Sequence, residues 1–514
     1  MSQFSAEIRR SPEWWKHRKE QDMQGRWIKS ALERTWLVQT PSLPAEVNLS
    51  YRQVIYVLDE LEGYAALRNE KAGCQVSCFE RIWQSDTLLD ATGTKNLAEA
   101  FAKLRLEVPM SDDGITAYLI DHMLYPLVYN KTLVSHPNGR VLLPVRPPPS
   151  TDIYTVSPHF ALLPSDVSVS ANGSSVKFLS YISNLHPSLH RTTYELLEIL
   201  LAGFIPLFEH TLTDLHRNNP LMQRIPGRCR YTVWEEPEPP EHSDDEEGWV
   251  NYERDMRQWA LNRPINLPDV PDSGYPGGLE TRRHIVTLRD RTVQVIVSAS
   301  EISLLPQGPA FPGSSWHVEG MRSERIVACG FHCLSADNIT ESSIEFRMAV
   351  TYPRGFSAGD TGATLRTWGI RDGDSCHQYV GGVPIRPGLS LVFPNIYQQR
   401  QTPFTLADSS RQGHLTGIWF YLIDPDVKPI VSTSVVGPQQ KSWIHKALDD
   451  NLDTRFPNEL IEKIMEHVDG LLTPEEAQIY RREMVEAGKQ FTQANNSYHF
   501  CIPFDIWNGP EVTE

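Results

Sequence analysis

At 514 residues the chain has room for two or three domains or one large elaborated one. A hydrophobic fraction of 40% with 10% aromatics excludes wholesale disorder, and a formal net charge of −16 leaves no basic footprint for nucleic acid. The seven cysteines are too sparse for a disulfide framework, and neither Cys74/Cys78 nor Cys329/Cys333 has the partner pair of a zinc site.

The opening residues, MSQFSAEIRRSPEWWKHRKE, carry charge without a following apolar core and do not read as a signal peptide. No run of about 18 apolar residues occurs, so no membrane span is expected and a cytoplasmic location fits. Residues 1–145 read as mainly helical. Val54, Ile55, Val57, Leu58 and Leu61 fall at helical spacing within Tyr51 to Asn69, and a second helix covers Asn96 to Leu106. Arg146-Pro-Pro-Pro-Ser150 must run extended and opens a mixed region, 146–281. In it, Asn172-Gly173 suits a hairpin turn between Asp166–Ser170 and Val176–Ser180. Thr192 to Leu215 reads as one long amphipathic helix that Pro206 should kink or interrupt. The stretch from Trp234 to Gly248, acidic and Pro-rich, cannot bury apolar area and reads as part of a mobile solvated loop over about 235–254.

From about 282 to 440 the pattern becomes short strands punctuated by Gly, Pro and Asp: Thr292–Val297, Ser343–Met348, Leu389–Phe393 and Gly417–Ile423. Residues 441–514 return to helix. Asn458 is placed to cap Glu459–Val468, and Thr473-Pro-Glu-Glu476 forms a capping box before Ala477–Phe491.

The chemistry centres on Ser315-Trp316-His317-Val318-Glu319-Gly320. His and Glu two apart on a strand project to one face, which is how a β-barrel presents an imidazole and a carboxylate together to a metal. By itself a His-x-Glu fits a partly exposed strand end equally well.

Several longer phrases carry a resemblance: Leu124-Tyr-Pro-Leu-Val-Tyr129, Tyr181-Ile-Ser-Asn-Leu-His-Pro187, Phe204-Ile-Pro-Leu-Phe-Glu209, Ser315-Trp-His-Val-Glu-Gly-Met321, Asp337-Asn-Ile-Thr-Glu-Ser342 and Ile423-Asp-Pro425. On these the chain resembles the fungal domain-of-unknown-function family 4246. The resemblance implies an α+β chain with a double-stranded β-helix core of cupin or jelly-roll type, similar to iron(II)/2-oxoglutarate oxygenases, with helical additions at both ends. It places His317 and Glu319 on the family's first two iron ligands. Where the family continues Phe-Pro-Asn and then Gln-His-Arg, this chain has Phe393-Pro-Asn-Ile-Tyr-Gln-Gln399-Arg400, so Gln399 stands where the third ligand would be. Where the family has Gly-His-Arg, Leu415 replaces the Arg that would clamp the co-substrate. A neutral amide is a weaker iron ligand than imidazole, and Leu cannot pair with a carboxylate.

The reading that follows is an enzyme of fungal natural-product metabolism that uses no cofactor, a cyclase or isomerase such as a Diels–Alder-type pericyclase. Its substrate would be a hydrophobic small molecule, terpenoid or polyketide-like. His317 and Glu319 would act as an acid/base pair, with Gln399 and Tyr397 hydrogen-bonding a substrate carbonyl. Trp316, Phe393, Asn395, Trp419, His377 and Arg347 would line the pocket. Two alternatives stay open. One is an oxygenase with iron(II) on His317 and Glu319 plus 2-oxoglutarate, with His332, His377 or His414 as the missing ligand and Arg400 or Arg411 as the clamp. The other is a non-catalytic interaction protein.

Overall fold

The computed structural model describes residues 1–135, 142–149, 155–225, 229–231, 235–451 and 457–507. Twelve strands build the two main sheets. They are β1 (Cys74–Val76), β2 (Trp83–Ser85), β3 (Thr116–Ile120), β4 (Ser165–Val169), β5 (Val176–Phe178), β6 (Thr292–Leu304), β7 (Ile326–Asp337), β8 (Ser343–Ala349), β9 (His377–Pro384), β10 (Ser390–Pro394), β11 (Gln398–Gln401) and β12 (Gly413–Ile423). Nine of them form an antiparallel sheet in the order β5-β4-β6-β12-β7-β10-β2-β1. The ninth, β3, pairs with the second half of β6, beyond the stretch held by β4. The other three form a small antiparallel sheet, β9-β8-β11.

Strand alternation sorts the apolar residues into two cores. On β12, Ile418, Phe420 and Leu422 face helices, while Leu415, Trp419, Tyr421 and Ile423 face the inner core. That inner core is shared with Ile344, Phe346, Val380 and Val383 of the small sheet, and Phe346 meets Phe393 across it at 4.8 Å between ring centroids. The sheet is not confined to residues 282–440, because β1 to β5 come from earlier in the chain.

The principal helices are α1 (Ser2–Arg10), α2 (Tyr51–Leu67), α3 (Ala91–Glu107), α4 (Arg191–Leu215), α5 (Glu246–Asn262) and α6 (Pro474–Ala494). Helix α4 is long and apolar enough to cross a bilayer, but it packs on the outer face of the sheet. Its Phe204 lies 5.2 Å from Phe420 between ring centroids. Gly330 of β7 permits this approach, since a Cβ there would stand 2.9 Å from the Phe204 ring.

Three sequence expectations are corrected. Helix α4 runs through Pro206 as one element; buried Leu197, Leu200 and Leu201 before it, and Leu207, Phe208 and Leu212 after it, hold both halves on the sheet. The acidic stretch is not all loop: Glu246–Asn262 is helical, with Asp245 capping it by accepting from the Gly248 amide and Glu246 and Glu247 favourably placed against the helix dipole. Asn458 is the first helical residue and not the cap, which falls to Pro457. The capping box of Thr473 and Glu476 is present as expected, and Gly173 sits in a turn between β4 and β5 with φ 72°. Trp234 and Ser150, named in two of the sequence readings, lie outside the described residues.

Candidate functional site

His317 and Glu319 are not on a strand. His317 makes an isolated antiparallel bridge with Gln399, its amide donating to the Gln399 carbonyl at 3.0 Å and its carbonyl accepting from the Gln399 amide at 2.9 Å. The chain then turns through Glu319, which Asn395 fixes. The Asn395 side-chain oxygen accepts from the Glu319 amide at 2.8 Å, and its Nδ2 donates to the carbonyls of Glu319 at 2.8 Å and Ile326 at 3.0 Å. One side chain therefore ties the site loop to the start of β7. The two functional groups converge as expected although the backbone route differs.

The geometry assigns proton positions. His317 Nδ1 lies 2.7 Å from the Ser315 carbonyl, which can only accept, so this nitrogen carries a proton. Nε2 points at Glu319 Oε1, 3.4 Å away, and is the nitrogen free to gain or lose a proton. Gln399 Nε2 donates to the same Oε1 at 2.7 Å. Burial pushes the His317 pKa down, but the hydrogen bond and charge of Glu319 outweigh it and the net direction is up. For Glu319, burial pushes up and is outweighed by His317, His122 and Gln399, so its pKa falls. Each group thus favours the charged form of the other, and the two make an ion pair.

Beside the pair lies a cavity of about 560 Å³. Its walls include Met123, Phe160, Leu162 and Met321 on one side and Met484, Gly488 and Phe491 of α6 on the other. Helix α6 is anchored there by Arg481, which pairs with Asp121 and lies 4.6 Å over the Tyr118 ring, and by Lys131, 3.1 Å from Glu476. Two titratable residues absent from the sequence reading share the cavity. His122 is buried and held towards its neutral form by desolvation, with Nδ1 lacking a partner. Glu324 has its carboxyl pushed up to about 7 by burial, although it accepts from the amides of Leu162 and Met321. No local signal marked these two. The α6 wall did carry a signal that went unread within a charged helix: Met484, Gly488 and Phe491, an apolar and small stripe at helical spacing.

Of the other residues assigned to the site, Tyr397 is fully buried, and its hydroxyl faces the Glu80 carbonyl at 3.5 Å. Phe393 and Trp419 pack in the inner core, 6.5 Å apart between centroids, and are not cavity walls. Trp316 lies between the guanidinium groups of Arg347 and Arg400, 4.8 and 4.6 Å from its ring. His377 lies near Arg347, and burial pushes its pKa down to about 4.

The residues present do not fit an iron centre. Among the described residues no group of three His, Cys, Asp or Glu side chains converges to hold a metal. His332 and His414 sit on the face of the sheet opposite Leu415 and Trp419, bonded to Ser390 and Ser335. Leu415 faces the inner core in register with Ile302 and Ala336. The two arginines considered as clamps are engaged, Arg400 by Glu345 at 2.7 Å and Arg411 by Asp408 at 3.4 Å.

A family model described as a protein of unknown function (DUF4246) matches residues 52–447. The chain belongs to this family. Among solved structures, it is similar to the iron(II)/α-ketoglutarate-dependent dioxygenase TqaL at 8% identity and a TM-score of 0.28, over 66% of this chain and 78% of that one. It is also similar to IDO from Bacillus thuringiensis at 8% identity and a TM-score of 0.24, over 70% and 92% of the two chains. A bsmA homologue from Methylobium petroleophilum aligns at 9% identity and a TM-score of 0.17, over 40% and 66%. These are loose likenesses, and the fold rests on the strand pairing given above. No curated protein matches the chain.

Proposed function

We propose that this family member binds an apolar small molecule in the cavity beside His317 and Glu319 and rearranges it without oxidation, as a cyclase or isomerase. The scaffold would be a double-stranded β-helix kept for its pocket, and a terpenoid or polyketide-like molecule suits the apolar walls, as does a pericyclic ring closure. The observation that carries the proposal is the Gln399 side chain donating to Glu319 Oε1 at 2.7 Å. It engages Oε1 of the carboxylate with a neutral amide, at the residue that the family resemblance aligns with a third ligand. A carboxylate already shared between an amide and an imidazole serves as an electrostatic partner for a proton on Nε2. His317 would then donate to or accept from a substrate oxygen or carbon, while the surrounding apolar walls exclude water and orient the chain.

The test uses mass. Extracts containing candidate precursors are incubated with the purified protein and followed by untargeted mass spectrometry. The expected product has the same mass as its precursor and a changed retention time, and it disappears with His317→Ala. A product heavier by one oxygen, formed only with iron(II) and 2-oxoglutarate and accompanied by succinate, would overturn the proposal in favour of an oxygenase.

A further inference from the structure

On the far side of Leu162 lies a second cavity, of about 540 Å³, that the proposed chemistry does not use. Leu162 lines both cavities, so they stand back to back. Four cations surround the second: Arg146, Arg322, Arg325 and Lys428. Among the described residues, no carboxylate lies within ion-pair distance of any of them and no Asp or Glu lines the cavity. Most of the other arginines near this part of the fold are paired, as Arg291 is with Asp426 and Arg481 with Asp121. Four exposed cations without a carboxylate partner among the described residues thus gather around one cleft on a chain of net charge −16, a local positive field that attracts an anion.

The cations are not loosely strung. Arg325 Nη1 donates to the Lys428 carbonyl at 3.0 Å, which ties the turn before β7 to the segment after β12. The Arg322 amide donates to the Thr155 carbonyl at 2.9 Å. Ser323, between the two arginines in sequence, is also a lining residue, with its hydroxyl buried and without a partner. The floor is apolar, with Leu127, Leu162, Ile430 and Val431.

We infer that this cleft binds a phosphate or diphosphate ester with an apolar tail. Guanidinium groups match phosphate oxygens in a bidentate manner, and the apolar floor takes the tail. A concave site of this size favours a soluble ligand over the headgroup of a bilayer lipid. The inference stands on its own residues, whatever reaction His317 performs.

Isothermal titration calorimetry on the full chain at low salt tests it, with geranyl diphosphate, inorganic pyrophosphate and geraniol as probes. Geranyl diphosphate is expected to bind about tenfold or more tightly than either fragment, and more weakly as salt is raised. Arg322→Glu and the milder Lys428→Gln should each weaken it by about tenfold, with melting temperatures showing both variants folded. His317→Ala and Arg411→Glu should leave binding unchanged. The inference is overturned if geranyl diphosphate does not bind, if the two cleft variants bind it normally, or if pyrophosphate binds equally well. Sedimentation with phosphatidylcholine vesicles containing phosphatidic acid, in the absence of binding to soluble geranyl diphosphate, would also overturn it by assigning the cations to a membrane surface.

Discussion

Glu319 is held twice, its backbone by Asn395 and its carboxylate by Gln399 and His317, and the two holds have separate consequences. The first is structural. Asn395→Ala leaves an amide and two carbonyls without partners and should cost about 2–4 kcal/mol, read as a lower urea midpoint. The second is electrostatic. Glu319→Gln removes the charge that raises the His317 pKa and leaves burial in command. The imidazole should then titrate lower, followed by NMR of labelled histidine, and an unchanged titration would show that Glu319 does not set it. Because the folded pKa of His317 is raised, its contribution to stability is full below about 6.5 and is lost as pH rises through the folded value. That of Glu319 is present above its ordinary value and is lost as pH falls through its lowered one. His332 and His377, pushed down by burial to about 4, act the other way to His317: their contribution is lost as pH falls from about 6.5 towards that value. At this scale the sequence was informative about which groups meet and uninformative about how. His317, Glu319 and Gln399 come together, but through a bridge and a turn, because Asn395 supplies the hydrogen bonds that a ladder strand would have made. His122 and Glu324 were invisible because their roles come from burial by residues far away in the chain.

Among the elements, helix α6 has the clearest experimental handle. Gly488 lines the cavity, and a Cβ there meets nothing within 4 Å. Gly488→Phe should therefore intrude on the cavity from the helix side, and it removes a glycine from a helix interior, which is worth about 0.5–1 kcal/mol when replaced by alanine. The expected outcome is a melting temperature at or above that of the wild type together with loss of binding of the uncharged apolar dye Nile red. Dye binding that persists would place the apolar site elsewhere. The helices were largely legible because apolar spacing and capping boxes are local signals: Ser50 with Gln53 opens α2 and Thr473 with Glu476 opens α6. The failures were of another kind. Pro206 was overridden by packing along α4, and the start of α5 was hidden inside an acidic run whose charges turn out to suit a helix N-terminus.

Across the whole molecule, the N-terminal part is bound to the rest by a buried charge cluster. Arg224 reaches Glu60 at 2.8 Å and also Glu80, while the Tyr64 hydroxyl donates to Glu80 at 2.8 Å. Burial raises the Glu60 pKa, and Arg224 and Tyr64 bring that of Glu80 down against the same burial. Arg224→Ala strands two carboxylates and should destabilise the protein by about 3–5 kcal/mol at neutral pH, a deficit that shrinks as acid protonates them. Denaturant melts of variant and wild type across a pH series measure this, and a pH-independent difference would mean the loss is one of packing. Nothing in the sequence pointed to the cluster, since Arg224 and Glu80 stand 144 positions apart. The same distance problem hid the reach of the sheet. Of its strands beyond residue 282, the start of β6 announced itself by alternation and β10 and β12 as apolar runs, while β7 went unread; β1 and β2 are three-residue strands that acquire their meaning only by pairing at its edge.

Strand β12 lies between β6 and β7 and pairs along nearly its whole length with both. It is also the last strand of the sheet to be synthesised. A ribosome making this protein must therefore release β6 and β7 with their central edges bare, and keep them so until residue 423 has emerged. Over that interval two apolar strands are available to any neighbouring nascent chain. Production of the protein in a foreign host should accordingly depend on chaperone supply and growth temperature far more than the stability of the finished molecule would suggest.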